Sequence, residues 1–284
     1  MVRKRPRMES EHVMFRIFTL VVLFGALNVA AATFDDAKGA FDKGDYSTAL
    51  PAFQELATAG DHTAEFYLGL MHHRGMGVTA DLNAAVDWYR KAAEGGNGKA
   101  QHNLAALYEH GDGVEQNYEE ALKWYTKAAE QGMAMSIQSI GYMYYKGEGV
   151  DQDYKQAVDW WRKAAEKGDA QAKHNLGLMY FSGRGVEVDA IQGIKLWREA
   201  AELGYAESQN ALGNIFFNGT EVEQDFQAAY MWFRLATAFG KKEADLNAVM
   251  AAQRLSPKEL DAADKEAQQK LEAIKTALQK ERNQ

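Results

Sequence analysis

The sequence predicts an all-α protein, a solenoid of stacked helix-turn-helix repeats closed by a C-terminal capping helix. Three observations carry this. A unit of 36 residues recurs without insertion or deletion: Gly69 returns as Ala105, Gly141, Gly177 and Gly213, Gly75 as Gly111, Gly147, Gly183 and Gly219, and Val78 as Val114, Val150, Val186 and Val222. Each unit holds two apolar runs at helical spacing, joined by a glycine-rich loop. The 284 residues contain three prolines, and only Pro51 falls inside the array. A fixed period of this length marks a solenoid, whose units each lack a core of their own and bury apolar surface by stacking.

Residues 1–32 differ from everything after them. Arg3, Lys4, Arg5 and Arg7 form a basic stretch, Ile17 to Leu27 is apolar, and Ala30-Ala31-Ala32 offers a small-residue cleavage site before Thr33. That order is a secretory signal peptide, and the apolar run is shorter than the ~20 residues a membrane span needs. Met14 is an alternative start, giving the compact signal MFRIFTLVVLFGALNVAAA, and an uncleaved anchor is the alternative to removal. The expected location is exported, periplasmic or secreted, in a bacterium. Loss of residues 1–32 removes five basic and two acidic side chains and takes the net charge from −8 to −11.

Residues 33–61 read as a degenerate N-terminal capping repeat, because Asp45, Tyr46, Ala49, Phe53, Ala57 and Gly60 stand 36 residues before Asp81, Leu82, Ala85, Tyr89, Ala93 and Gly96. Five full units occupy 62–240. In each, a first helix carries an apolar face at i, i+3, i+4 (Leu68, Met71, His72; then Leu104, Leu107, Tyr108, and so on). Glycine inside that helix costs about 0.5–1 kcal/mol relative to alanine, so a neighbouring backbone is expected to pass close to Gly69 and its equivalents. The Gly-x-Gly-Val loop ends the helix, since glycine suits positive φ there. Asp81, Asn117, Asp153, Asp189 and Asp225 then stand as N-caps, with Glu120, Gln156 and Gln192 at the capping-box offset. The second helix alternates alanines with aromatics, as in Ala85, Trp88, Tyr89, Ala92 and Ala93, and ends at Gly96 and its equivalents.

Residues 241–284 read as C-terminal capping helices. Ser256-Pro257-Lys258-Glu259 combines an N-cap, a first-turn proline and a capping-box glutamate. The helix it opens bears one apolar stripe, Leu260, Ala267, Leu271, Ile274 and Leu278, suited to closing an array or to pairing as a coiled coil.

The pattern L-G-x-M-Y-x-x-G-x-G-V-x-x-D-Y-x-x-A-x-x-W-Y-x-K-A-A-x-x-G, clearest in Gln101–Gly132 and Gln138–Gly168, resembles the Sel-one-like repeat (SLR), a relative of the tetratricopeptide repeat. The resemblance covers about residues 62–240, with a partial unit at 34–60. Glu221 departs from it, standing where the second loop glycine belongs. It implies a right-handed α/α superhelix that serves as a protein-interaction scaffold or adaptor and is often exported in bacteria. Some cysteine-rich exported relatives resemble β-lactam-binding proteins; this chain has no cysteine.

No catalytic, cofactor or metal site emerges from the pattern. The loop glycines lack the preceding strand and third glycine of a dinucleotide fingerprint. Adjacent His72 and His73 point about 100° apart on a helix, and His102 and His174 lie two units from each other. The acidic balance argues against nucleic acid, which needs clustered Lys and Arg. The expected function is therefore a non-enzymatic scaffold with a protein or peptide partner, cofactor-free, touching a membrane only through an uncleaved signal, with its oligomeric state open. A periplasmic regulator of a membrane signalling protein and an enzyme processing cell-wall fragments are the alternatives.

If first helices line the concave face as in tetratricopeptide proteins, specific positions enter the groove. These are Phe66, Leu70, His73 and Arg74 in the first unit, and His102, Glu109 and His110 in the second. The third supplies Gln138, Tyr142, Tyr145 and Lys146; the fourth, His174, Leu178 and Phe181; the fifth, Asn210, Asn214 and Phe217. Tyr142, Tyr145 and Phe181 are the expected anchors, being residue types enriched at binding hot spots. The competing expectation is that several of these aromatics pack between units.

Overall fold

The structure is a computed structural model and describes residues 33–282. The signal-peptide expectation, on residues 1–32, lies outside the described residues. Fourteen helices and no strand occur among the described residues. A first pair, α1 (Phe34–Asp42) and α2 (Tyr46–Thr58), precedes five hairpins. These are α3 (His62–Arg74) with α4 (Leu82–Glu94), α5 (Gly98–His110) with α6 (Tyr118–Glu130), and α7 (Ala134–Lys146) with α8 (Tyr154–Glu166). Then come α9 (Ala170–Ser182) with α10 (Ala190–Glu202), and α11 (Ala206–Asn218) with α12 (Phe226–Ala238). A short α13 (Ala244–Ala252) and a long α14 (Pro257–Arg282) follow. None of the described helices is long and apolar enough to cross a membrane.

Helix boundaries fall where the local chemistry directs them. The side chains of Asp81, Asn117, Asp153, Asp189 and Asp225 accept from the third amide of the following helix at 2.9–3.1 Å. The capping box expected at Glu120 forms only by half, because its carboxylate turns to Lys123 at 3.0 Å. The reciprocal arrangement appears at Ser256, whose amide donates to Glu259 Oε2 at 2.8 Å while Ser256 Oγ accepts from the Glu259 amide at 3.4 Å.

The glycine inside four of the five first helices faces a ring, and the expected close backbone appears beside it only at Gly177, where the Gly193 carbonyl lies 3.0 Å from the Cβ position. A Cβ at Gly69, Gly141, Gly177 or Gly213 would run into Tyr89, Trp161, Trp197 or Phe233, the aromatic of the same hairpin. Close backbone approach recurs at the second loop glycine. A Cβ on Gly113, Gly149 or Gly185 would strike the main chain of Leu82, Tyr118 or Tyr154, the first residue of the preceding unit's second helix. The loop therefore sets the spacing between units and the helix glycine the spacing within one. In the last unit Glu221 keeps the left-handed conformation at φ 61°, alone among non-glycine described residues. The matching residue of the preceding unit is the small Ala190.

The core crosses the boundaries between units. Ala85, Tyr89, Leu104, Leu107, Ala121, Tyr125, Ile140 and Met143 share one apolar cluster although they come from three successive units. At the C-terminal end α14 lies on α12. Its Ala263, Ala267 and Ile274 are buried, Tyr230 donates to Asp264 at 2.7 Å, and Lys270 sits over the Trp232 ring with Glu202 3.6 Å away. The stripe that could have formed a coiled coil is thus covered by the chain's own hairpins.

Candidate partner-binding site

First helices of successive hairpins adjoin along one side of the stack. His102 Nδ1 lies 2.9 Å from Ser136 Oγ, and His174 Nδ1 the same distance from Ser208 Oγ, each pair bridging two units. Burial holds the His102 imidazole below its ordinary range and pushes His174 down to about 4, so both are neutral at neutral pH. The His174 ring also packs against Tyr205 and Trp197. Both histidines are inter-unit joints, a correction to their expected place in the groove.

Several other expected groove residues are structural too. Phe66 is 8% exposed and packs on Tyr67 and Tyr89. Gln138 is 9% exposed, and its main-chain carbonyl accepts from Trp161 Nε1 at 3.1 Å. Phe181 stacks on Trp197 with centroids 5.2 Å apart, a contact within its own hairpin rather than between units. Glu109 is pinned by the Tyr125 hydroxyl at 2.6 Å, His73 sits beside Tyr89, and Phe217 packs on Phe226. Asn210 receives a hydrogen bond from Asn247. Leu70 is half-buried, and Arg74, His110 and Asn214 are exposed along α3, α5 and α11. The physical reason is one of geometry: a position beside the core face of a first helix also meets the second helix of its own hairpin, and for His102 and His174 the next unit, so it packs before it can reach solvent.

Four expected residues do converge. Tyr142, Tyr145, Lys146 and Leu178 line a cavity of about 410 Å³ between α7 and α9. Buried Trp161 and Met179 form its floor, while Tyr142 and Leu178 remain 37% and 46% exposed. Lys146 Nζ stands 5.5 Å from the Tyr142 ring centre. Asn175, Ser182 and Arg184 complete the lining, and Arg184 Nη1 donates to the Tyr145 hydroxyl at 2.9 Å. These three were missed, although a signal existed. Asn175, Leu178 and Ser182 follow i, i+3, i+7 on one helical face, and Arg184 is the only cation among Met76, Asp112, Glu148, Arg184 and Thr220 at the centre of the loops.

Chemically, the cavity offers an apolar aromatic enclosure with donors at its edge and neither a carboxylate nor an imidazole in its lining. Among the described residues no three His, Asp or Glu side chains converge as a metal site would require.

The Sel1 repeat family model matches residues 62–97, 98–133, 135–169, 170–205 and 206–238. The structure is similar to that of a protective antigen present in uropathogenic Escherichia coli strains displaying an SLR fold, with 34% identity and a TM-score of 0.78 over 88% of this chain. That match spans 55% of the E. coli protein, so this chain corresponds to little more than half of its length. It is also similar to a Sel1 repeat protein from Oxalobacter formigenes, at 31% identity and a TM-score of 0.73, covering 83% of this chain and 98% of that one. No curated protein sequence matches the chain.

Proposed function

This chain belongs to the Sel1 repeat family, and we propose that it is an exported, non-enzymatic scaffold that holds a protein or peptide segment along its first helices, at the cavity between α7 and α9. Sel1 repeat proteins generally act as protein-interaction scaffolds. One observation carries the placement of the site. The register of Tyr142 and Leu178 is held elsewhere by Leu70, Ala106 and Asn214, so stacking does not dictate the residue there. Yet two successive units expose large apolar side chains at that position, beside a concavity of the size ligands occupy. Exposed aromatic and aliphatic groups around a buried indole are the makings of a binding hot spot. Export rests on the basic, apolar and small-residue order of positions 1–32. Thr33, the residue after the proposed cleavage point, caps α1 through its side chain, so removal of that segment leaves the helical array intact.

The test is retention of envelope proteins by immobilised chain 33–284, compared with a Tyr142→Ala, Leu178→Ala variant of unchanged helicity. Proteins held by the parent and lost by the variant are expected. Equal retention by both, or none by the parent, overturns the reading.

A further inference from the structure

The rim of this cavity departs from the charge character of the chain. The protein carries a net charge of −8, and ten of its described lysines and arginines form ion pairs with carboxylates, as Lys123 does with Glu120, Arg162 with Asp159 and Lys173 with Glu199. Lys146 and Arg184, 38 positions apart in sequence, are brought to one rim, and among the described residues neither forms an ion pair with a carboxylate. No acidic residue lines the cavity they border.

We propose that the cavity between α7 and α9 takes an acidic–apolar peptide motif. An aromatic or branched aliphatic side chain enters between Tyr142, Tyr145 and Leu178, and an Asp or Glu within about three residues of it meets Lys146 and Arg184, a spacing set by the reach of ~3.3–3.6 Å per extended residue. This deepens the groove reading above and rests on it.

The chemistry of each part supports the assignment. Arg184 commits one of its donors to the Tyr145 hydroxyl at 2.9 Å and packs 5.8 Å from the Tyr154 ring centre. Its guanidinium is therefore held in place while its remaining N–H groups can grip a carboxylate in the two-pronged manner that a flexible ammonium cannot match. Lys146 adds a second positive charge from the end of α7, over Tyr142. The floor is the Trp161 indole, whose N–H is already satisfied by the Gln138 carbonyl, so it presents an apolar face to the occupant without leaving a donor stranded. A free inorganic anion would engage the two cations and leave the apolar enclosure wet. A purely apolar peptide would fill the enclosure and leave the cations unanswered. Nucleic acid would meet an acidic protein beyond this small patch. A peptide bearing both features uses the whole site, and about 410 Å³ suits one or two side chains rather than a folded domain.

The experiment is selection of displayed random 12-residue peptides on chain 33–284, with affinities of selected clones measured on the parent and on two double variants. All four substituted side chains are exposed or rim residues, so unchanged circular dichroism melting is expected of both variants. On the parent, clones should carry an aromatic or branched aliphatic residue with Asp or Glu within three positions. Their affinity should fall roughly tenfold or more in Lys146→Glu, Arg184→Glu, as loss of a charge-assisted contact implies. Selection on that variant should yield Lys or Arg in place of the acids. Clones without acids, or acidic clones that bind the charge-reversed variant undiminished, overturn the proposal. In that case the groove reading survives if Tyr142→Ala, Leu178→Ala still abolishes binding. Clones indifferent to both variants, or no clone at all, overturn the proposal and the groove reading together.

Discussion

Gly141 lies under the indole of Trp161, so close that a Cβ on the glycine would stand 2.6 Å from the ring carbon Cδ1 and the ring nitrogen Nε1. The same relation joins Gly69 to Tyr89, Gly177 to Trp197 and Gly213 to Phe233. It explains why a residue unfavourable in helices recurs at mid-helix: the ring of the second helix fills the space a side chain would occupy, and the large buried ring outweighs the helix-propensity loss of at most ~1 kcal/mol.

Gly141→Ala should accordingly destabilise the fold by about 1–3 kcal/mol, the usual cost of overpacking, although alanine is the better helix former. Urea unfolding followed by circular dichroism measures it. A neutral or stabilising effect would show that the ring moves aside freely.

Glu221→Gly should stabilise by roughly 0.5–1 kcal/mol. The left-handed φ of 61° costs a non-glycine residue about 1–2 kcal/mol, of which glycine's greater unfolded freedom returns about half. Gly149→Ala should act in the opposite sense and more strongly, because the new methyl meets the Tyr118 carbonyl as well as an unfavourable φ of 74°. Thermal midpoints of the two variants against the parent decide both.

His174 makes stability depend on acid. Its folded pKa is about 4 against 6.5 for the free side chain, with burial as the leading cause. Below pH 6.5 the unfolded chain takes up a proton that the folded chain refuses, so this contribution is complete above pH 6.5 and disappears as the pH falls toward 4, by about 3 kcal/mol in all. His174→Gln, borrowing the residue found at Gln138 in the same register, should flatten the stability profile between those pH values. Unfolding free energies at pH 7, 5.5 and 4 test this, and an unchanged slope would refute it.

Ile274→Ala should cost about 2 kcal/mol, the lower end for an aliphatic-to-alanine change, and should leave the mass in solution unaltered, because the α14 stripe packs on the chain's own hairpins. A drop in mass would instead show that α14 holds two chains together.

Export predicts that the protein recovered from a bacterial envelope fraction begins at Thr33. Intact-mass measurement reads this directly, and a cytoplasmic product retaining residues 1–32 would refute it.

The array was legible because it repeats. A period of 36 residues, caps at Asp81 and its equivalents, and glycines at Gly75 and Gly96 are local and are each written several times, so one unit's ambiguity is resolved by the next. The candidate site was legible only in part. Tyr142, Tyr145, Lys146 and Leu178 were among seventeen expected groove positions, with Tyr142 and Tyr145 as anchors beside Phe181, whereas Arg184 and Asn175 join them through the lining of one cavity.

By itself the sequence determined the hairpins, their number and their order, because helical periodicity, capping and turn chemistry act within a few residues. Only the tertiary structure decided which side chains the stacking consumes and which it leaves exposed. Phe66, Gln138, His102, His174 and Phe181 were all expected in the groove, yet the first two and the last are taken up by the second helix of their own hairpin and the two histidines by the next unit. Such burial depends on the distance and angle at which two helices of a hairpin, and one hairpin and the next, meet, and that geometry lies beyond the few residues over which local sequence acts.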